Sequence, residues 1–206
     1  MCSGSDRARV GTFLRERIFD PLGMKDTAFH VPPEKIDRLP AFYFFNRQTD
    51  KLDLFDDVAN SAWASAPPSE SGGGGLLSTI DDYFVFSRMM LNTLLHKGRS
   101  GREQILSRAT VELMTSDQLT PEQRTGSEIF FGTHSSWGLG MAVDIRRNEI
   151  FHTPGRFGWT GGFGTTAYSD PAEGMTGILF TQRMMDSPEP PKVFTDFWTL
   201  AYGAME

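Results

Sequence analysis

A glycine-rich segment around a single tryptophan is the part of this sequence best suited to chemistry. Residues 154–164 read Pro-Gly-Arg-Phe-Gly-Trp-Thr-Gly-Gly-Phe-Gly, with the tryptophan at Trp159. Glycine weakens a strand unless the backbone must turn sharply or approach another group closely. The segment therefore indicates one of two things: a glycine-rich bulge with Trp159 filling the core, or a backbone N–H that faces a ligand oxygen. Composition alone favours the bulge.

The usual motifs of a self-contained catalytic centre do not occur in the sequence. Gly-x-Ser-x-Gly and Ser-x-x-Lys, the two patterns that indicate an activated serine, are both absent. The histidines show no metal-binding spacing, and Cys2 is the only cysteine, so we expect no metal, no cofactor and no internal disulfide. The four histidines are His30, His96, His134 and His152.

A second glycine run, Ser71 followed by four glycines, precedes a helical pattern and suggests a phosphate-binding loop. It lacks the Gly-Lys-Ser/Thr ending of such loops, and no clear strand leads into it. This pattern argues against a nucleotide site.

Length and charge exclude several classes of function. A chain of 206 residues with 39% hydrophobic residues can bury a real core, and its net charge of −6 argues against a nucleic-acid partner. No apolar run approaches the ~20 residues that a membrane span needs, and residues 1–7 do not resemble a signal peptide. These features predict a cytoplasmic protein.

The elements that must position the glycine-rich segment are helices followed by strands and a closing helix. This order predicts an α+β fold, with an antiparallel sheet flanked by helices. Residues 10–206 are interpreted as one domain or part of one, and residues 1–9 as a disordered or non-native leader. The predicted helices are residues 10–19, 78–95, a helix beginning after Ser107, and 193–204; the predicted strands are 42–45 paired with 52–54, then 137–145, 163–168 and 175–181.

Several motifs, in order along residues 10–205, resemble the serine β-lactamase-related family, with class C enzymes and family VIII carboxylesterases as the closest kin. The resemblance implies a β-lactamase/transpeptidase-like fold. The motifs that carry it are residues 13–29, 71–83, 137–140, 158–165 and the pair Asp170-Pro171.

The family builds its site from three motifs, and this chain matches one of them. Ser-x-x-Lys and Tyr-x-Asn are absent, whereas Trp159-Thr160-Gly161 stands where the family has Lys-Thr-Gly or His/Trp-x-Gly. The family's counterpart of residues 10–19 follows its tyrosine motif closely. We therefore expect this chain to be the C-terminal portion of a longer enzyme, without nucleophile or base.

The resemblance also implies roles for six residues. The backbone N–H of Gly162 would be one of two oxyanion donors, next to Trp159 and Gly161 in the catalytic strand. Thr160, Ser71 and Gly72 would border the substrate, although a flexible loop explains Ser71 and Gly72 equally well. Because the indole of Trp159 carries no charge, neutral esters are expected rather than β-lactams.

The leading hypothesis is thus a C-terminal fragment of a serine hydrolase, whose parent reaction is carboxylic ester hydrolysis through an acyl-enzyme. One alternative is a non-catalytic binding or assembly module on the same scaffold, and another is an enzyme with a different site near His152 and Trp159. The expected partners are a small ester or amide, once the missing half is supplied, and a second copy of the chain at an exposed sheet edge.

Overall fold

A five-stranded antiparallel sheet carries the glycine-rich segment. The structure is a computed structural model, and it describes residues 9–95 and 104–205. The strands follow one another in the order β3-β4-β5-β6-β7, which confirms the predicted meander. They are β3 (Ser135–Trp137), β4 (Ala142–Asp144), β5 (Phe157–Gly161), β6 (Thr165–Asp170) and β7 (Met175–Phe180).

The single strand predicted at residues 137–145 is two strands joined by a tight turn, so that prediction was wrong. The N–H of Gly138 donates to the carbonyl of Met141 (2.8 Å), and Gly140 has a φ of +92° that suits glycine. The turn reverses the chain, so Ser135 pairs with Asp144.

A separate two-stranded hairpin precedes the sheet, as predicted. It consists of β1 (Phe42–Asn46) and β2 (Lys51–Asp56), which pair antiparallel. Backbone hydrogen bonds join it to the segment after β7, because the N–H of Tyr43 donates to Gln182 (2.9 Å) and the N–H of Met184 donates to Tyr43 (2.9 Å).

The longest helix among the described residues begins where the sequence predicts. It is α3 (Ile80–Leu95), and the side chain of Thr79 accepts the backbone N–H of Asp82 at its start (3.2 Å). Asp81 and Asp82 in the first turn are favourable to the helix dipole.

The other helices are shorter. The predicted helix at residues 10–19 continues to Leu22 through a π-helical segment and ends at Gly23, whose φ is +72°. Ser107 caps α4 as predicted, by accepting the N–H of Thr110 (3.1 Å). The helices are α1 (Val10–Leu14), α2 (Asp20–Leu22), α4 (Arg108–Met114), α5 (Pro121–Arg124), α6 (Glu128–Phe131) and the closing α7 (Lys192–Gly203).

Helices cover both faces of the sheet. One face packs against α3 around a core that includes Met89, Met90 and Phe157. Residues of β6 alternate between faces, and on the opposite face Thr166 and Asp170 accept hydrogen bonds from Trp198 and Tyr202 of α7. The α+β arrangement, with an antiparallel sheet between helices, is therefore confirmed.

The outer edge of β7 pairs with no strand in the described parts of the chain. Among the described helices, none has the length and apolar character needed to cross a bilayer. Residues 1–8, most of the predicted leader, lie outside the described residues, as do Cys2 and His96.

Candidate functional site

Half of β5 has a free backbone edge. The strand pairs with β6 along its whole length, from Phe157 opposite Ser169 to Gly161 opposite Thr165. On its other side β4 pairs only with Phe157 and Gly158. The edge from Trp159 to Gly161 is consequently open within the described chain, and such an edge can hydrogen-bond an extended ligand.

Trp159 forms an aromatic wall beside this edge. Its side chain is 38% exposed, so it does not fill the core. Its ring lies edge-on to Trp137, with centroids 4.8 Å apart, and 6.4 Å from Phe131. The two contacts fix the indole at the surface of the sheet.

Gly162 follows directly after the strand and is exposed. Its carbonyl accepts the N–H of Met185 (2.9 Å), whereas its own N–H forms no backbone hydrogen bond within the described chain. A Cβ added at Gly162 would meet no atom within 4 Å. The geometry leaves this N–H open to a ligand oxygen, and its oxyanion role remains a prediction.

Aromatic packing holds the turn that contains Gly162. Phe163 packs against Trp63, Phe42 and Phe55, with ring centroids between 5.4 and 6.1 Å apart. Gly164 is required there, because its φ is +74° and an added Cβ would lie 1.9 Å from the carbonyl oxygen of Arg183. The hairpin thereby positions the turn after β5.

Gly161 and Thr160 are held on the sheet by neighbouring side chains. An added Cβ at Gly161 would lie 2.7 Å from Oγ1 of Thr165. The hydroxyl of Thr160 lies 3.0 Å from that of Thr166, which accepts a hydrogen bond from Trp198 (3.1 Å). The hydroxyl of Thr160 thus takes part in the packing of α7, and its contact with substrate remains a prediction.

Ser71 and Gly72 lie in an exposed turn. Ser71 forms an isolated bridge with Gly74, and its hydroxyl accepts the N–H of Gly73 (3.1 Å). Neither Ser71 nor Gly72 lines the large cavity next to β5. The structure gives these two residues a local turn role and does not bring them to that cavity.

A cavity of about 770 Å³ borders the end of β5. Such a volume is in the range of small-molecule sites, roughly 300–1,000 Å³. Its walls combine the predicted strand residues with a polar cluster that the sequence motifs did not indicate. The lining residues include Trp159, Thr160, Gly162, His134, Asp144, His152, Arg156, Tyr168 and Trp198.

The polar cluster contains two stacked histidines and one aspartate. The rings of His134 and His152 lie 3.9 Å apart, and one ligand atom from each of His134, His152 and Asp144 falls within 4.8 Å of the others. Pairing of Ser135 with Asp144 brings His134 to the aspartate. Sequence spacing could not reveal this cluster, because strand register creates it.

Within the described chain, His134, Asp144 and His152 form the group whose ligand atoms are close enough to hold a metal ion. However, Asp144 already accepts a hydrogen bond from Ser135 (2.5 Å) and pairs with the guanidinium of Arg156 (3.0 Å). A cation would bind next to a buried positive charge, which opposes it. We therefore assign no metal to the cluster.

Burial keeps both histidines neutral at pH 7. It lowers the pKa of His152 to about 3, with His134 and Arg156 adding to the effect, and it lowers the pKa of His134. Burial also raises the pKa of Asp144, against the attraction of Arg156. The carboxylate of Asp144 lines the same cavity as His152 and Trp159. It is already bound by Ser135 and Arg156, so it is not free to act as a base for His152.

The sheet, the flanking helices and the open Trp-Thr-Gly strand together define a β-lactamase/transpeptidase-like domain. The Beta-lactamase family model matches residues 2–195, and the chain belongs to that family.

Its relatives are longer proteins of several kinds. Protein Rv1367c of Mycobacterium tuberculosis is 32% identical over 180 residues, which are 84% of this chain and 43% of that protein. The chain therefore spans less than half the length of this curated relative.

Solved structures share the fold at lower identity. Simvastatin synthase (LovD) from Aspergillus terreus is 23% identical with a TM-score of 0.74, over 95% of this chain and 50% of that one. EstCE1, described as a hydrolase with promiscuous acyltransferase activity, is 17% identical with a TM-score of 0.67, over 93% and 50%. The chain corresponds to a partial domain of this family.

Proposed function

We propose that this chain supplies the C-terminal side of the acyl pocket of a serine hydrolase. The parent reaction is carboxylic ester hydrolysis through an acyl-enzyme, and the nucleophile and base come from a partner segment that carries Ser-x-x-Lys and Tyr-x-Asn. The proposal rests on the edge of β5 that stays open within the described residues and on the N–H of Gly162, which finds no backbone acceptor among them. EstCE1, a hydrolase with promiscuous acyltransferase activity by its title, shares the fold and supports this choice.

In this mechanism the chain contributes positioning and electrostatics. The acyl group lies along the edge from Trp159 to Gly161, and the N–H of Gly162 donates to the carbonyl oxygen as negative charge develops on it. A serine from the partner segment attacks the ester carbonyl, and the alcohol leaves with the serine proton as the acyl-enzyme forms. Water then cleaves the acyl-enzyme, which releases the carboxylic acid and restores the serine. Trp159 offers an apolar wall without charge, which favours a neutral ester over a substrate that carries a carboxylate at this point.

The first test is activity of the chain by itself. Since no Ser-x-x-Lys occurs in the sequence, the purified protein should not hydrolyse short-chain aryl esters or chromogenic cephalosporins above background. Turnover together with covalent labelling by a serine-directed fluorophosphonate would refute the proposal.

The second test is complementation. A polypeptide that carries the N-terminal half of a family relative, with both missing motifs, should restore esterase activity when it is mixed with this chain. Gly162→Pro removes the N–H and should lower the restored kcat by about 10²–10³. Gly162→Ala keeps the N–H and meets no atom within 4 Å, so it is the matched control and should retain activity.

A binding or assembly module on the same scaffold is the second candidate function. The cavity of about 770 Å³ beside β5 favours it, because the cavity is formed by this chain alone. Ligand binding by the chain, together with failure of every complementation, would place this function ahead of the hydrolase.

A further inference from the structure

Phe130 places an exposed aromatic ring in the wall of the cavity beside β5. The residue belongs to the short helix α6, is 60% exposed, and lines the cavity together with Trp159 and Gly162. A single exposed apolar residue is ordinary on a protein surface, whereas one that continues into other apolar side chains around a cavity is typical of a binding site. Packing of the core does not explain the position of Phe130.

Other aromatic residues connect Phe130 to the open edge of β5. The ring centroids of Phe130 and Phe131 lie 6.5 Å apart, and the ring of Phe131 lies 5.9 Å from that of Trp137 and 6.4 Å from that of Trp159. Such distances are those of favourable aromatic pairs. Of these rings, Phe130 and Trp159 line the cavity, so a ligand there contacts an aromatic wall that neighbouring rings hold in place.

Apolar side chains also lie beside the proposed oxyanion position. Met185 donates its backbone N–H to the carbonyl of Gly162 (2.9 Å), and Met184, Met185 and Phe163 line the same cavity. The flexible side chain of methionine adapts to ligands of different shape and makes favourable contacts with aromatic rings. A ligand that reaches from Trp159 to Gly162 is thus bordered by apolar groups at both ends.

The charged side chains that line the cavity, within the described chain, already have partners or face water. Arg156 is paired with Asp144 (3.0 Å), and Asp186 is paired with Arg183 (2.5 Å). Glu149 is exposed, so water screens its charge. This arrangement favours a neutral ligand, since a charged one would find no free partner that is shielded from water.

The distance between the aromatic wall and the oxyanion position sets the length of the ligand. Trp159 precedes Gly162 by three residues, about 10 Å of extended chain. We propose that the hydrolase acts on esters of aromatic acids whose ring is several bonds away from the carbonyl, with the ring against Phe130 and Trp159 and the carbonyl oxygen at the N–H of Gly162. This inference rests on the proposed function, and it makes Phe130 the residue that selects the acyl group. An acetyl group is too short to reach the wall.

Titration of the purified chain with methyl 4-phenylbutyrate tests the aromatic site without the partner segment. The indole N–H resonance of Trp159 should shift, whereas that of the buried Trp198, which is hydrogen-bonded to Thr166, should stay in place. Methyl butyrate is the same ester without its ring. It should bind at least about tenfold more weakly, because it leaves the aromatic wall uncovered.

Substitution of Phe130 tests the residue itself. Phe130→Ala removes the ring and should raise the dissociation constant of methyl 4-phenylbutyrate by about threefold to tenfold. Ile129→Ala is the matched control, since Ile129 is 54% exposed on the same helix and does not line the cavity, and it should bind as the wild type does. Both replaced side chains are exposed, so neither substitution opens a cavity in the core.

The complemented enzyme tests the same residue in catalysis. With 4-nitrophenol as the leaving group of both substrates, kcat/KM for the 4-phenylbutyrate ester is divided by kcat/KM for the acetate ester. This ratio should fall at least about threefold in Phe130→Ala and stay constant in Ile129→Ala.

The outcomes separate this inference from the proposed function. An unchanged ratio in an active Phe130→Ala enzyme, or equal binding of methyl butyrate and methyl 4-phenylbutyrate, would overturn the inference and leave the hydrolase proposal intact. Tighter binding of methyl 4-cyclohexylbutyrate than of methyl 4-phenylbutyrate would overturn the aromatic ring as the selected group. Binding that depends on Phe130, without any restored activity, would refute the hydrolase and retain the aromatic site.

Discussion

The hydroxyl of Tyr202 donates a 2.6 Å hydrogen bond to the buried carboxylate of Asp170, which joins the closing helix α7 to the end of β6. Asp170 is 1% exposed and also accepts the backbone N–H of Ala172 (2.9 Å) in the turn before β7. One carboxylate therefore fixes the helix, the strand and the turn.

Removing this hydroxyl should destabilise the fold. Tyr202→Phe leaves a buried carboxylate oxygen without its donor, and we expect the free energy of unfolding to fall by about 1–3 kcal/mol. Urea denaturation measures the change. Tyr43→Phe is the matched control, since the hydroxyl of Tyr43 forms no hydrogen bond with the described residues and its loss should change the free energy little. Equal stability of the wild type and Tyr202→Phe would contradict the role assigned to this bond.

Two glycines of the same segment should respond differently to alanine. A Cβ at Gly158 would lie 2.1 Å from the carbonyl oxygen of Ala167 and 2.6 Å from Cα of Tyr168, whereas a Cβ at Gly162 would meet nothing within 4 Å. Gly158→Ala must separate β5 from β6 and should cost about 3 kcal/mol or more. Gly162→Ala should melt close to the wild type. Similar melting temperatures for the two variants would show that strand contact is not the reason for the glycine at 158.

The sequence predicted regular elements well where local signals were strong. The cap at Thr79 with Asp81 and Asp82, and the cap at Ser107, located α3 and α4, because these signals act within one turn of helix. The prediction of a single strand at residues 137–145 was wrong, because the apolar residues continue through a turn that Gly138 and Gly140 form.

The sequence predicted only the part of the candidate site whose residues are consecutive in the chain. Trp159 to Gly162 form the open strand end that the family resemblance indicated. The cluster of His134, Asp144, His152 and Arg156 was not predicted, because long-range strand pairing brings it together and no spacing in the sequence reports that pairing. The sequence did suggest a site near His152 and Trp159, but it did not indicate that Asp144 lies beside them.

The neutral histidine His152 should make stability depend on pH. Its pKa is about 3 in the folded chain, against an ordinary value of 6.5, because of burial and the neighbouring His134 and Arg156. Between these values the unfolded chain binds a proton that the folded chain does not, so the free energy of unfolding falls as the pH falls from about 6.5 toward about 3. Urea midpoints between about pH 7 and about pH 4 measure the decline.

Substitutions separate the contribution of His152 to the pH-dependent loss of stability from the contributions of other groups. His152→Gln should flatten the decline in part, with a remainder from His134, whose pKa is also lowered by burial. His30→Gln, at an exposed histidine, should leave the decline unchanged. A His152→Gln variant with the full wild-type decline would show that other groups cause it.

The free edge of β7 should make the isolated chain associate. β7 is the last strand of the sheet, and its outer edge pairs with no strand in the described chain. Its residues are only half-buried, so backbone groups and apolar side chains are both available to a second copy. We expect light scattering to show dimers or larger species that dissociate on dilution.

A charge on the edge strand tests this expectation. Leu179→Lys places that charge on β7 and should shift the chain toward monomer. Leu113→Lys makes the same charge change at a 53% exposed leucine of α4, and it should leave the association unchanged. A monomeric wild type with a sharp cooperative melt and no binding of a hydrophobic dye would contradict edge association, because the chain would then cover its own sheet.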